Sequence, residues 1–173
     1  MSIIMAQIKV LAHNIRSCHN IGAILRTSDG FGVEEVICSG YSPYPRLINK
    51  NDGRDDRLEY LIEKITKKIH KTALGAEEIV TCTHTSSIID KINDLKSQGY
   101  TILGLELNER SIKLPDYKSP QKVALLLGEE LHGLTPELLE LCDELVEIPM
   151  FGQKESYNVS ISAGIALYHL RCL

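Results

Sequence analysis

Val123–Leu127 is an unbroken apolar run of strand length that stops abruptly at Gly128-Glu129-Glu130. A run without polar alternation suits a strand buried on both faces, as in a parallel sheet. Thr135-Pro136-Glu137 then predicts a helix start, with Thr135 as N-cap and Pro136 at the first helical position. A second apolar run, 145–148, stops at Pro149, and Asn158 is predicted to cap a final helix running to about Leu170. Two buried strands therefore deliver two irregular loops, 128–134 and 149–157, to the carboxyl edge of one sheet. That edge is where open α/β sheets bind ligands.

Upstream, the period switches repeatedly between two and 3.6. A short strand at 8–11 precedes a helix whose apolar stripe is Ile21, Ile24, Leu25 and Phe31, with Asn20 as expected cap and Gly30 and Gly32 as stop signals. Asn20 and Arg26 fall near its polar side, and Gly22-Ala23 permits close backbone approach. Glu35–Ser39 predicts the second strand, and 41–56 is a loop by composition. Leu58, Leu61, Ile62, Ile65 and Ile69 keep helical spacing, with Lys64, Lys67, Lys68 and Lys71 on other faces. Those lysines read either as a solvated face or as a contact to a phosphate backbone. A strand is expected at 79–83, then a helix capped by Ser86 and ended by Gly99, a strand at 101–107 and a loop at 108–121. Alternating strands and helices give an α/β class, a mainly parallel sheet with helices on both faces, in one domain over 1–173.

Composition narrows the choice little: 43% hydrophobic and 24% charged residues are ordinary globular values. No stretch approaches a membrane span, and the N-terminus does not read as a secretion signal. Five cysteines without a CxxC pair argue against a disulfide framework or a zinc site, and they are expected as small buried hydrophobes in a reducing cytoplasm. No metal site is expected. The net charge of −4 hides an asymmetry, because residues 1–71 carry 11 basic and 8 acidic side chains. Glycine-rich dinucleotide and P-loop signatures are missing, as are GxSxG and HExxH.

What remains is a set of polar residues set in apolar segments: Asn20 and Arg26, Glu130, then Ser156 and Asn158. They lie in HNIGAILRTSDGFG, LLLGEELHGL and SYNVSISAGIALYHL. These stretches resemble, in order and spacing, motifs 1, 2 and 3 of the SpoU/TrmH-type RNA ribose 2′-O-methyltransferases of the SPOUT superfamily. The resemblance covers essentially the whole chain. It implies a deep C-terminal trefoil knot, S-adenosyl-L-methionine as methyl donor, RNA as substrate and a homodimer whose active sites draw on both protomers.

Carried over residue by residue, the resemblance implies catalytic roles for Arg26, Asn20, Glu130, Ser156 and Asn158. It implies cofactor contacts at Leu105, Gly128, Ile148, Met150, Ser156, Tyr157 and Val159, largely through backbone groups. RNA contacts are implied for Arg16, Asn20, Arg26 and Thr27. Glu129 departs from the usual motif 2, which has Asn or Pro there, and Tyr157 replaces a common Leu. The separate N-terminal RNA-binding domain of ribosomal-RNA members is not expected here, which makes tRNA the favoured substrate over rRNA. The rival readings are a non-catalytic RNA binder on the same fold and a methyltransferase acting on a base nitrogen.

Overall fold

The computed structural model describes residues 6–47 and 55–173. Its centre is β1 (Gln7–His13), flanked by β2 (Glu35–Ser39) on one side and β6 (Lys122–Leu127) on the other. With β3 (Cys82–Thr85), β4 (Thr101–Leu105), β5 (Ile112–Lys113) and β7 (Glu144–Glu147), the sheet order is β3-β2-β1-β6-β4-β7-β5. Every strand pairing within it is parallel. The chain builds outward from β1 through β2 to β3, jumps to β4, and returns with β6 to fill the slot beside β1. The junction of β1 and β6 is therefore a topological switch point, where a crevice opens at the strands' carboxyl ends.

The strands' alternating side chains build two cores. Ile8, Val10, Ala12, Val123, Leu125 and Leu127 face α1 (Cys18–Gly30), α2 (Glu59–Ala73), α3 (Ala76–Ile79) and α6 (Val159–Cys172). Leu11, Ile37, Ala124 and Leu126 face α4 (Ile88–Ser97) and α5 (Pro136–Leu141). Both faces are covered, which is why β6 shows no polar alternation. Among the described residues no helix is long and apolar enough to cross a membrane.

Several expected boundaries move. Ser17, not Asn20, caps α1, its Oγ accepting the Asn20 N–H, and this frees the Asn20 side chain. The strand expected at 79–83 begins instead at Cys82, because Gly75 at φ 101° starts the turn of helix at Ala76–Ile79. Ser87 rather than Ser86 caps α4. The loop expected at 108–121 contains the edge strand β5 and a 3₁₀ turn at Leu114–Asp116. Of the cysteines, only Cys38 is fully buried, while Cys172 is exposed. Part of the predicted 41–56 loop, 48–54, lies outside the described residues. Its described start is fixed by Arg57, whose guanidinium lies 3.6 Å over the Tyr44 ring and donates to the Tyr44 and Pro45 carbonyls.

α1 and α2 pack at Gly22. A Cβ there would overlap Thr72 Oγ1 and the Ile69 carbonyl oxygen, with Ala73 N only 3.0 Å away. Thr72 Oγ1 in turn donates to the His19 carbonyl at 2.8 Å. A backbone oxygen cannot swing aside as a side chain can, so Gly22→Ala forces the helices apart. The expected cost is about 1–3 kcal/mol of folding stability, read as a lowered urea midpoint with an unchanged slope.

Candidate active site

The 128–134 loop leaves β6 as a tight closed turn. Glu129 and Gly133 exchange backbone hydrogen bonds at 3.2 and 2.9 Å, and Gly133 sits at φ 67°. A Cβ on Gly128 would approach the Gly133 carbonyl at 2.6 Å, so the turn closes only around glycine at both ends. From β4, the Glu106 carboxylate accepts the Leu134 N–H at 2.7 Å and pins the turn's far end. Sequence reasoning missed Glu106, since nothing local relates it to a turn 28 residues away.

Glu130 projects from that turn toward the switch point. Its Oε2 accepts the Arg16 N–H at 3.2 Å and its Oε1 accepts from Asn20 Nδ2 at 3.0 Å. Asn20 Oδ1 accepts from Asn158 Nδ2 at 3.1 Å, and Asn158 Oδ1 caps α6 by accepting the Ser160 N–H. One hydrogen-bonded chain, Glu130–Asn20–Asn158, thus joins the three sequence motifs. It also brings together the N-termini of α1 and α6, neither of which has an acid in its first turn. Such helix ends favour negative charge.

Beside this chain lies a cleft of about 620 Å³ at the carboxyl ends of β4, β6 and β7. All seven residues expected to hold the cofactor line it: Leu105, Gly128, Ile148, Met150, Ser156, Tyr157 and Val159. Its other walls include Leu127, Pro149 and Phe151, with carboxylates at Glu106, Glu129, Glu130, Glu147 and Glu155. Ser156 is exposed in the cleft wall.

The remaining expected residues are placed differently. Arg26 is exposed on α1, and no hydrogen bond or ion pair joins it to the described residues of its own chain. Thr27 is half-buried and faces Gly164 of α6, where an added Cβ would lie 3.6 Å from its methyl group. Arg16 is exposed but ion-paired, its guanidinium 3.4 Å from Glu129. Glu129 does not simply point to solvent. Its side chain is 20% exposed and accepts from His132 Nδ1 at 3.1 Å. Hydrogen bonds from His132 and Tyr41 hold its carboxyl below the usual carboxylate range. Glu129 therefore occupies the guanidinium expected to meet RNA.

The chain is also similar over most of its length to known proteins. The SpoU rRNA Methylase family matches residues 7–168. A tRNA (guanosine(18)-2′-O)-methyltransferase of Aquifex aeolicus is 30% identical over 92% of this chain and 66% of its own length. A 23S rRNA (guanosine-2′-O-)-methyltransferase of Neisseria meningitidis, RlmB, is 33% identical over 94% of this chain and 57% of its own. The crystal structure of an AdoMet-bound rRNA methyltransferase from Sinorhizobium meliloti superposes with a TM-score of 0.78 at 22% identity, covering 96% of this chain and 56% of that one. The chain thus spans about three-fifths of the curated relatives it matches. With the parallel sheet, the switch-point crevice and the three joined motifs, these matches make the chain a member of the SpoU rRNA Methylase family.

Proposed function

We propose that the chain is an S-adenosylmethionine-dependent RNA methyltransferase acting on a ribose 2′-hydroxyl, with tRNA favoured over rRNA, and that it works in the cytoplasm. The observation that carries this reading is the meeting of the 620 Å³ cleft with the Glu130–Asn20–Asn158 chain at one sheet edge. The cleft has the volume of a nucleoside-sized site, with apolar walls at Leu105, Leu127, Ile148 and Val159 and polar groups between them. Its five carboxylates suit a cationic ligand, and its residues fit S-adenosylmethionine. When bound, that molecule supplies an electrophilic methyl group on a positively charged sulfur.

The chain's own residues position the acceptor. Asn20 and Asn158 fix Glu130, and the two converging helix N-termini attract a phosphate of the substrate strand. Arg26 carries the charge stabilisation. A guanidinium stays protonated at working pH, so Arg26 is assigned to clamping the phosphate and offsetting the developing alkoxide rather than to taking its proton. A rate–pH profile of Arg26→Lys tests this: the expected result is a large rate loss without a new acid limb. High retained activity with a downward-shifted limb would favour the base role instead.

On the same reading the active unit is a homodimer and its C-terminal segment is threaded as a trefoil knot. An exposed stripe on α6, Ile161 (54% exposed), Ile165 and Tyr168 (52%), supports the dimer. Among the apolar side chains of α6 only Ala163, Ala166, Leu167 and Leu170 are buried. The uncovered side fits a second copy.

The direct test incubates the protein with methyl-tritiated S-adenosylmethionine and cellular RNA separated into tRNA and rRNA, followed by alkaline hydrolysis. Label is expected in alkali-resistant dinucleotides, because a methylated 2′-oxygen cannot attack the adjacent phosphodiester. Label in mononucleotides would mean base methylation, and cofactor binding without any transfer would favour a non-catalytic binder. A further expectation concerns Glu129. Glu129→Gln should release Arg16 and tighten RNA binding by about two- to fivefold, the scale of one exposed ion pair, as measured by filter binding.

A further inference from the structure

We propose that the outward face of α2 is a docking surface for the RNA phosphate backbone, an inference that rests on the chain being an RNA methyltransferase. Tyr60, Lys64, Lys67 and Lys71 follow the spacing i, i+4, i+7, i+11 along α2, with Lys68 beside them. All five side chains are exposed, opposite the buried Ile62, Ile69 and Ala73. The stripe is about 16 Å long at the rise of an α-helix, enough to follow several phosphates.

Helix stability does not account for this arrangement. Lys64 and Lys68, and likewise Lys67 and Lys71, are like charges at i, i+4, a spacing that destabilises a helix. Among the described residues none of the four has an ion-pair partner, although Glu63 stands four residues before Lys67. Unneutralised positive charge on a chain of net charge −4 matches a polyanion. The exposed Tyr60 ring within the stripe adds a stacking surface for an unpaired base.

The stripe is also tied to the candidate active site. Lys71 adjoins Thr72, whose hydroxyl bonds the carbonyl of His19, the residue before Asn20. The close helix contact at Gly22 holds α2 in fixed register with the first turn of α1. RNA lying on α2 is therefore held at a set distance from Asn20 and Glu130.

The test compares the full chain with a combined Lys64→Gln, Lys67→Gln and Lys71→Gln variant. A charge-matched control carries Lys91→Gln, Lys96→Gln and Lys118→Gln. The probe is unfractionated tRNA with S-adenosylmethionine present, over a salt series. The α2 variant is expected to bind about tenfold or more weakly, with a log–log salt slope shallower by about 2–3. Its S-adenosylmethionine affinity and its kcat at saturating RNA should be unchanged. Native-like affinity and slope in the α2 variant, with methyl transfer intact, would overturn the α2 surface alone. An equal loss in the control would also overturn it. If the native protein bound no tRNA and no rRNA, the proposed function would fall with it.

Discussion

Asn20→Ala is expected to lower kcat/KM for methyl transfer by about a hundredfold or more while leaving S-adenosylmethionine affinity within about twofold. Asn20 is the middle member of the chain joining Glu130 to Asn158, and it lines none of the cofactor cleft. Truncation at Cβ removes both hydrogen bonds at once, leaving the Glu130 carboxylate held only by the Arg16 N–H and the Asn158 amide only by its bonds to Ser160. A displacement of about 1 Å at such a constellation is enough for a loss of this size. Asn158→Ala should cost a similar factor, and the double variant little more, because residues acting as one unit are not additive. Steady-state kinetics with equilibrium dialysis of the cofactor separate the two effects. A loss confined to cofactor binding, or full additivity, would sink the positioning role.

On the proposed homodimer reading, Ile165→Glu is expected to abolish activity by converting the dimer to a monomer without unfolding it. A carboxylate in the centre of this exposed apolar stripe would be desolvated once a second copy covered it, a cost the monomer avoids. Sedimentation should show half the native mass, with an unchanged circular dichroism spectrum. A paired experiment tests whether the two chains share sites. Among the described residues Arg26 has no hydrogen-bond or ion-pair partner, so on the proposed homodimer reading it is expected to serve the partner's cleft. Arg26→Ala and Asn20→Ala chains, each inactive alone, should then regain about a quarter of native activity when mixed and re-equilibrated, since half the dimers are mixed and each holds one intact site. No recovery, with heterodimers demonstrated, would place Arg26 in the site of its own chain.

The architecture was largely legible because its signals are local. The boundaries of β2 follow from EVICS ending at Gly40, and the caps at Thr135 and Asn158 stand where side-chain chemistry puts them. What escaped was set by competition or by distance. Ser17 and Asn20 are both good caps three residues apart, and the tertiary partners of Asn20 decided between them. The two-residue β5 has no period to read, and it exists only because β7 offers it an edge. In the site, the motifs named Asn20, Glu130 and Asn158, but nothing local says that they bond one another across 110 and 138 residues. Glu106 and the burial of Glu129 escaped for the same reason. The final helix shows the limit of composition: it says which side chains are apolar, not which side a partner covers.

The placement of β6 has a consequence for when the candidate site comes into being. β1 precedes the other six strands of its sheet, yet its second neighbour is β6, more than a hundred residues later, and α6 must still follow to supply Asn158. Pairings so remote in sequence form slowly, because a long loop must close before any contact rewards it. A nascent chain can pair β1 with β2 and seat α1 early, but it has no Glu130 or Asn158 to complete the site. Assembly of the candidate site is therefore a late step in the folding of this sheet, reached when the closing strand and helix pack against β1 and α1.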